Sequence, residues 1–152
     1  MPRRKERIPI TLDTNVIVSY YLSRHRESAS SQIVQLWRDQ HNLQLVVSDV
    51  VINEYLEVLR RVGVSEERLA RLMERFNRRQ TVTHVNLGAR YTESRDPDDN
   101  LILATAAAGK VRFLVTNDHD LLDIPPAQRR RFKFEIVTPQ EFLRQVARAQ
   151  GR

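Results

Sequence analysis

The stretch Ile10–Leu22, ITLDTNVIVSYYL, places an aspartate, a threonine and an asparagine where one apolar run gives way to another. IPITLD (8–13) reads as a strand and TNVIVSYYL (14–22) as the helix that follows it. The same alternation continues along the chain. SASSQIVQLWRDQ (28–40) reads as an amphipathic helix with Ile33, Leu36 and Trp37 on one face, and LQLVVS (43–48) as a strand. Ser48 is placed to cap DVVINEYLEVLRRV (49–62), whose Val51, Tyr55, Val58, Leu59 and Val62 form an apolar stripe. A helix capped at Ser65 follows, with Leu69, Leu72, Met73 and Phe76 to bury, and then a short strand, TVTHV (81–85). DPDDNLILATAAA (96–108) reads as a buried helix with Asp96 as N-cap, Pro97 at the first helical position and Gly109 closing it. VRFLVT (111–116) and FEIVT (134–138) are strands, and Pro139 opens a last amphipathic helix carrying Phe142, Leu143 and Val146.

Strands alternating with helices predict an α/β fold of three layers, α/β/α, around a mostly parallel sheet of about five strands. The chain has 152 residues and shows no repeat, linker or low-complexity segment, so residues 1–152 read as one domain. Residues 1–7 are basic and expected to be flexible, and residues 144–152 form the end of the last helix. No apolar run suits a membrane span or a signal peptide, so a cytoplasmic protein without membrane contact is expected. The absence of cysteine excludes disulfides and thiolate zinc sites, which leaves oxygen or imidazole ligands for any metal.

The formal charge is +6, from 25 Lys and Arg against 19 Asp and Glu. Arginine-rich clusters, including Arg129, Arg130 and Arg131, make RNA a reasonable polyanionic partner. Between residues 60 and 80 the arginines alternate with glutamates, and that mixture reads as a solvated helix face.

On this plan Asp13 and Asp118 both fall just past carboxyl ends of strands, where open α/β sheets place their ligands. Glu54 lies within the apolar stripe of its helix and so faces inward, and Asp99 shares a face with Ile102, Leu103 and Ala106. Taken singly, Asp13, Asp96, Asp98 and Asp118 are explained by capping or turns; Glu54 is the exception. Four inward acids at one sheet end repel one another, and a divalent cation is the common way to hold them. All-oxygen ligands point to Mg²⁺ or Mn²⁺, which hydrolyse phosphodiesters by activating water and clamping the attacking and leaving oxygens.

Competing motifs fail on residue identity. DPDDNL starts like a calcium loop but has Leu101 where glycine is required and Ala107 where a bidentate Glu is required. LDTNV has Asn15 where a phosphatase nucleophile motif has its second acid. His25, His41, His84 and His119 lack zinc-site spacing, and no Gly-rich phosphate loop is present.

LDTNVIVSYYL, LVVSDVVINEYLEVLRR, RDPDDNLILATAAAGKVRFLVTNDHDLL and IVTPQEFL resemble, in order and spacing, the PIN-domain ribonucleases, especially the VapC-like branch of toxin–antitoxin toxins. The resemblance runs from Ile10 to Leu143 and implies a PIN-like fold, Mg²⁺ or Mn²⁺ as cofactor, RNA as substrate, an antitoxin partner and a homodimer. Matched motif by motif, the family's acids fall on Asp13, Glu54, Asp99 and Asp118 as catalytic metal ligands. Asn15 and Thr116 match its orienting polar residues, Asp120 is a candidate outer acid, and Arg129–Arg131 are candidate RNA contacts. Two functions are therefore expected: a metal-dependent endoribonuclease acting as a toxin, or a catalytically inactive PIN-like module that binds RNA or protein.

Overall fold

The computed structural model describes residues 7–23, 27–39, 42–87 and 97–150, apart from the side chains of 97–99 and 147–150. Five short strands form one sheet: β1 (Ile8–Leu12), β2 (Leu43–Val47), β3 (Val82–His84), β4 (Phe113–Val115) and β5 (Glu135–Val137). Their order is β3-β2-β1-β4-β5 and every pairing is parallel, with Ile10 opposite both Leu45 and Phe113, and Leu12 opposite Val115. Parallel strands covered on both faces must be apolar throughout. Ile10, Leu12, Leu45, Val47, Leu114 and Val115 are accordingly sealed from solvent.

The chain moves outward from β1 through β2 to β3, then returns to the other side of β1 for β4 and β5. The direction of winding therefore reverses between β1 and β4, and this is where an open α/β sheet leaves a crevice.

Helices α1 (Thr14–Leu22), α2 (Ala29–Arg38), α3 (Asp49–Arg61) and α4 (Glu66–Phe76) connect the first three strands. Helix α5 (Pro97–Ala108) makes the return crossover and packs on β1, β2 and β4, while α8 (Pro139–Gln150) packs on β4 and α2. The capping serines sit where the sequence places them: Ser48 Oγ accepts from Val51 N at 3.3 Å and Ser65 Oγ from Arg68 N at 3.3 Å. The proposed cap at Asp96 lies outside the described residues, as do His25, His41 and residues 1–6 of the basic N-terminal segment.

Three local readings are revised. Two short helices, α6 (His119–Leu122) and α7 (Pro126–Arg129), follow β4, the first where the sequence reads as a turn at Asp118 and the second in a stretch to which the sequence reading assigns no element. In the α3 stripe Val51, Tyr55 and Leu59 are buried, but Val62 is the C-cap and is exposed, while Ile52 is buried in its place. The end of α5 is also displaced by one residue. Lys110, with φ of 50°, takes the left-handed position, and the pair Val111 N to Ala106 O (3.2 Å) and Lys110 N to Ala107 O (3.1 Å) closes a Schellman motif. Gly109 is needed for another reason: a Cβ there would stand 2.2 Å from Val46 Cγ1.

Candidate active site

Asp13 stands one residue beyond β1, and its backbone N–H continues the β1–β4 ladder by donating to Val115 O at 2.9 Å. Its carboxylate caps α1, accepting from Thr14 N at 2.8 Å on Oδ1, while Oδ2 accepts from Thr116 Oγ1 at 2.6 Å. Thr116 in turn accepts from Asp118 N at 2.9 Å, and Asp118 Oδ1 caps α6 by accepting from Asp120 N at 2.9 Å. Residues more than 100 positions apart in the chain are thus joined at the winding reversal. From α3, Glu54 accepts a hydrogen bond from the Thr14 hydroxyl, and the next residue, Tyr55, donates its buried phenol to Leu12 O. Helix α3 is itself tied to α5 through the hydroxyl pair Ser48 and Thr105, 2.9 Å apart.

Asp13 is 6 % exposed, and that number sets its chemistry. Burial, partly offset by hydrogen bonds from Thr116 and Thr14, and reinforced by the charges of Asp118 and Glu54, pushes its carboxyl up to about 6. The Tyr55 phenol is pushed well above its ordinary value, first by burial and then by Asp13 and Glu54. The site therefore collects negative charge that its own hydrogen bonds do not neutralise.

Of the residues singled out in the sequence, Asp13, Thr116, Asp118 and Asp120 form one connected chain of hydrogen bonds, and Glu54 joins it through Thr14. Asp99 falls in the first turn of α5, but its side chain and that of Asp98 lie outside the described residues. Asn15 is exposed, and the threonine beside it, Thr14, makes the hydrogen bonds to Asp13 and Glu54. Thr14, Tyr55 and the Ser48–Thr105 pair were not legible as site residues. The signal that could have found them is position: Thr14 and Tyr55 each follow an acid and Ser48 is a cap, while Thr105, between two alanines in α5, carries no such signal.

Arg129 is half-buried and donates to Leu122 O, while Arg130 and Arg131 are exposed. A cavity of about 290 Å³ opens beside Glu54 between α3 and α5, walled by Val50, Asn53, Leu101 and Ile102.

A divalent cation fits the chemistry of this donor set. The other oxygen of Glu54 and of Asp118 accepts no protein hydrogen bond among the described residues, and all the donors are hard oxygens. Among the described residues no three acids converge closely enough to hold an ion by themselves.

The fold and the site define a parallel α/β domain with an acidic centre at its winding reversal. A family model described as "PIN domain" matches residues 9–120, and the chain belongs to that family, whose members are generally nucleases. Among solved structures, the chain is similar to one in the VapBC2 complex of Rickettsia felis bound to a DNA fragment from their promoter. That match has 20 % identity and a TM-score of 0.55, covering 86 % of this chain and 98 % of the other. It is also similar to the PIN domain of T. brucei RRP44, at 15 % identity and a TM-score of 0.52, covering 97 % of this chain and 84 % of the other. At these identities the likeness shows the fold. No match was found among curated proteins. No described helix is long and apolar enough to cross a membrane.

Proposed function

We propose that the protein is a metal-dependent endoribonuclease, the toxin of a toxin–antitoxin pair, with Asp13, Glu54, Asp99 and Asp118 as its Mg²⁺ or Mn²⁺ ligands. The observation that carries this reading is Asp13: a carboxyl buried at the winding reversal, locked by Thr14 and Thr116, and pressed by two further acids. A structural cap needs neither the burial nor the neighbours. When bound, the cation supplies Lewis-acid activation of water and offsets the charge of the phosphate. The protein's own part is orientation. Thr14 holds Asp13 through its N–H and Glu54 through its hydroxyl, and Thr116 fixes Asp13 and the backbone of Asp118 together. Asp120 secures Asp118 through its backbone N–H. The exposed Arg130 and Arg131, together with Arg129, are the proposed contacts to RNA phosphates.

Labelled RNA incubated with Mg²⁺, Mn²⁺ or EDTA tests the reading. Cleavage is expected only with metal, leaving 5′-phosphate and 3′-hydroxyl ends, because water and not the ribose 2′-hydroxyl is the nucleophile. Cutting that persists in EDTA, or cyclic phosphate ends, would refute the mechanism. Binding without cutting under every metal condition would assign the chain to the non-catalytic PIN-like class.

The antitoxin partner is supported by the likeness to a VapBC2 chain and by the motif resemblance. We also propose a homodimer, supported by Val50, Val62 and Leu101, apolar side chains exposed on or near α3 and α5. Sedimentation at tens of micromolar, roughly the range of a weak association, should show a dimer; a monomer there counts against it.

A further inference from the structure

Of the arginines on and just after α4, Arg71 and Arg78 are exposed, as the mixture with glutamates suggests, while Arg68 and Arg75 are half-buried. Arg68, Arg71, Arg75 and Arg78 recur at helical spacing and turn toward α1 and α2, where they wall a cavity of about 330 Å³ with Arg38, Tyr20 and Tyr21. Five guanidinium groups line this cavity against one carboxylate, that of Glu74. None of the five forms an ion pair among the described residues, whereas Arg60 and Arg61 nearby are paired with Glu66 and Glu57.

Three of the five are already held in place. Arg68 lies over the Tyr21 ring, 4.7 Å from its centroid, and Arg38 lies over Tyr20 and donates to its hydroxyl. Arg75 donates to Arg38 O at 3.4 Å. Burial and the neighbouring charges of Arg38 and Arg78 push the Arg75 guanidinium below its ordinary value. Like charges gathered and oriented in this way are relieved by an anion.

The cavity is remote from the acids. Asp13 caps the start of α1, while Tyr20 and Tyr21 lie in its last turns, about 10 Å further along the axis. Arg38 and Arg78 sit just before the beginnings of β2 and β3, the edge of the sheet opposite the carboxyl ends. Within α4 the row from Arg68 to Arg75 spans about 10 Å, and a stacked strand presents about three phosphates over that length.

We propose that this cleft is a second, non-catalytic docking site for the backbone of an RNA strand, on the sheet edge away from the acids. The proposal rests on RNA as the substrate and goes beyond it by giving the substrate a second anchoring point. Arginine forks match phosphate oxygens in pairs, and the α4 row matches the regular phosphate spacing of a strand.

The test is binding of a short fluorescent single-stranded RNA in EDTA, across a salt series, to wild type and to three paired variants. Arg71→Ala/Arg75→Ala should lower the slope of log affinity against log salt by about 1.4, since each single-strand phosphate contact contributes about 0.7. At about 0.1 M salt the same change weakens binding roughly 25-fold. Arg60→Ala/Arg61→Ala removes the same charge from ion-paired positions and should leave the slope unchanged. Arg71→Lys/Arg75→Lys should recover most of the slope. Equal slopes in the cleft variant and the Arg60/Arg61 control would overturn the proposal, and so would displacement of nothing by RNA where a polyglutamate peptide binds. Melting curves matching wild type keep the comparison valid; if the alanine pair is unstable, the lysine pair against Arg71→Gln/Arg75→Gln replaces it. Because no metal is present, loss of the nuclease reading leaves this result intact, and loss of cleft binding leaves metal-dependent cutting to be judged separately.

Discussion

Asp13→Asn is expected to abolish RNA cleavage and at the same time to raise the melting temperature of the metal-free protein. In the folded state the Asp13 carboxyl titrates near pH 6 against 3.8 for an unperturbed aspartate, chiefly because it is buried. Below pH 3.8 folded and unfolded chains both hold the proton, and Asp13 costs nothing. Between 3.8 and 6 the unfolded chain releases the proton while the folded chain keeps it, so stability declines as pH rises through this window. Above pH 6 the full penalty stands, about 3 kcal/mol at 1.36 kcal/mol per pKa unit. Asparagine keeps the shape and can still accept from Thr14 N, but its amide disturbs the hydroxyl bond from Thr116. A net gain of about 1–2 kcal/mol remains, or roughly 3–6 °C for a domain of this size. Wild type should recover stability in millimolar Mg²⁺ by mass action, and the variant should recover less. Thermal melts of both proteins at pH 5 and pH 7.5, in EDTA and in Mg²⁺, give the answer, with the exposed Asp123→Asn as control. A variant that melts below wild type in EDTA and gains equally from Mg²⁺ would make Asp13 a helix cap and nothing more.

Gly109→Ala has the second large effect, and its sign is opposite to the usual one. Glycine to alanine near a helix end normally stabilises by up to about 1 kcal/mol. Here the new methyl would lie 2.2 Å from Cγ1 and 3.1 Å from Cβ of Val46. Val46 is buried on β2, its carbonyl accepts from Thr11 Oγ1 at 3.4 Å, and a β-branched side chain has few rotamers into which to retreat. Either α5 lifts from the sheet or β2 yields. Overpacking of this kind costs about 1–3 kcal/mol, so urea unfolding should show a midpoint well below that of wild type with an unchanged slope. Val46→Ala in the same chain removes the obstructing methyls, and the double variant should be less destabilised than the two single changes predict together. A neutral or stabilised Gly109→Ala would show that α5 does not approach β2 as closely as this.

Much of the architecture is legible because it rests on local rules. Apolar runs between serine caps mark the strands and helices, and alternation of the two imposes a parallel sheet. The positions of Asp13 and Asp118 follow once strand ends are located, since the sheet does the rest. What escapes is set by contacts distant in sequence. Nothing near Asn15 reveals that Thr14, through an acid 40 residues away, is the orienting group. That Arg68 and Arg75 are half-buried escapes the sequence because their partners, Tyr21 and Arg38, belong to earlier helices. Similarly, Gly109 looks like an ordinary helix stop until Val46 is placed against it.

The insertion of β4 beside β1 also has a consequence for the growing chain on the ribosome. Synthesis delivers β1, β2 and β3 first, and these can pair in order, but the opposite side of β1 stays open until Phe113–Val115 emerges. Until then Asp13 lacks its Thr116 hydroxyl, Asp118 is absent, and β1 presents an unpaired edge of Ile10 and Leu12. Under the proposed function, a nascent or truncated product ending before β4 therefore lacks the full acid set and is prone to stick to other strands. On that reading the acidic site is completed late and all at once, after about three quarters of the polypeptide has been made.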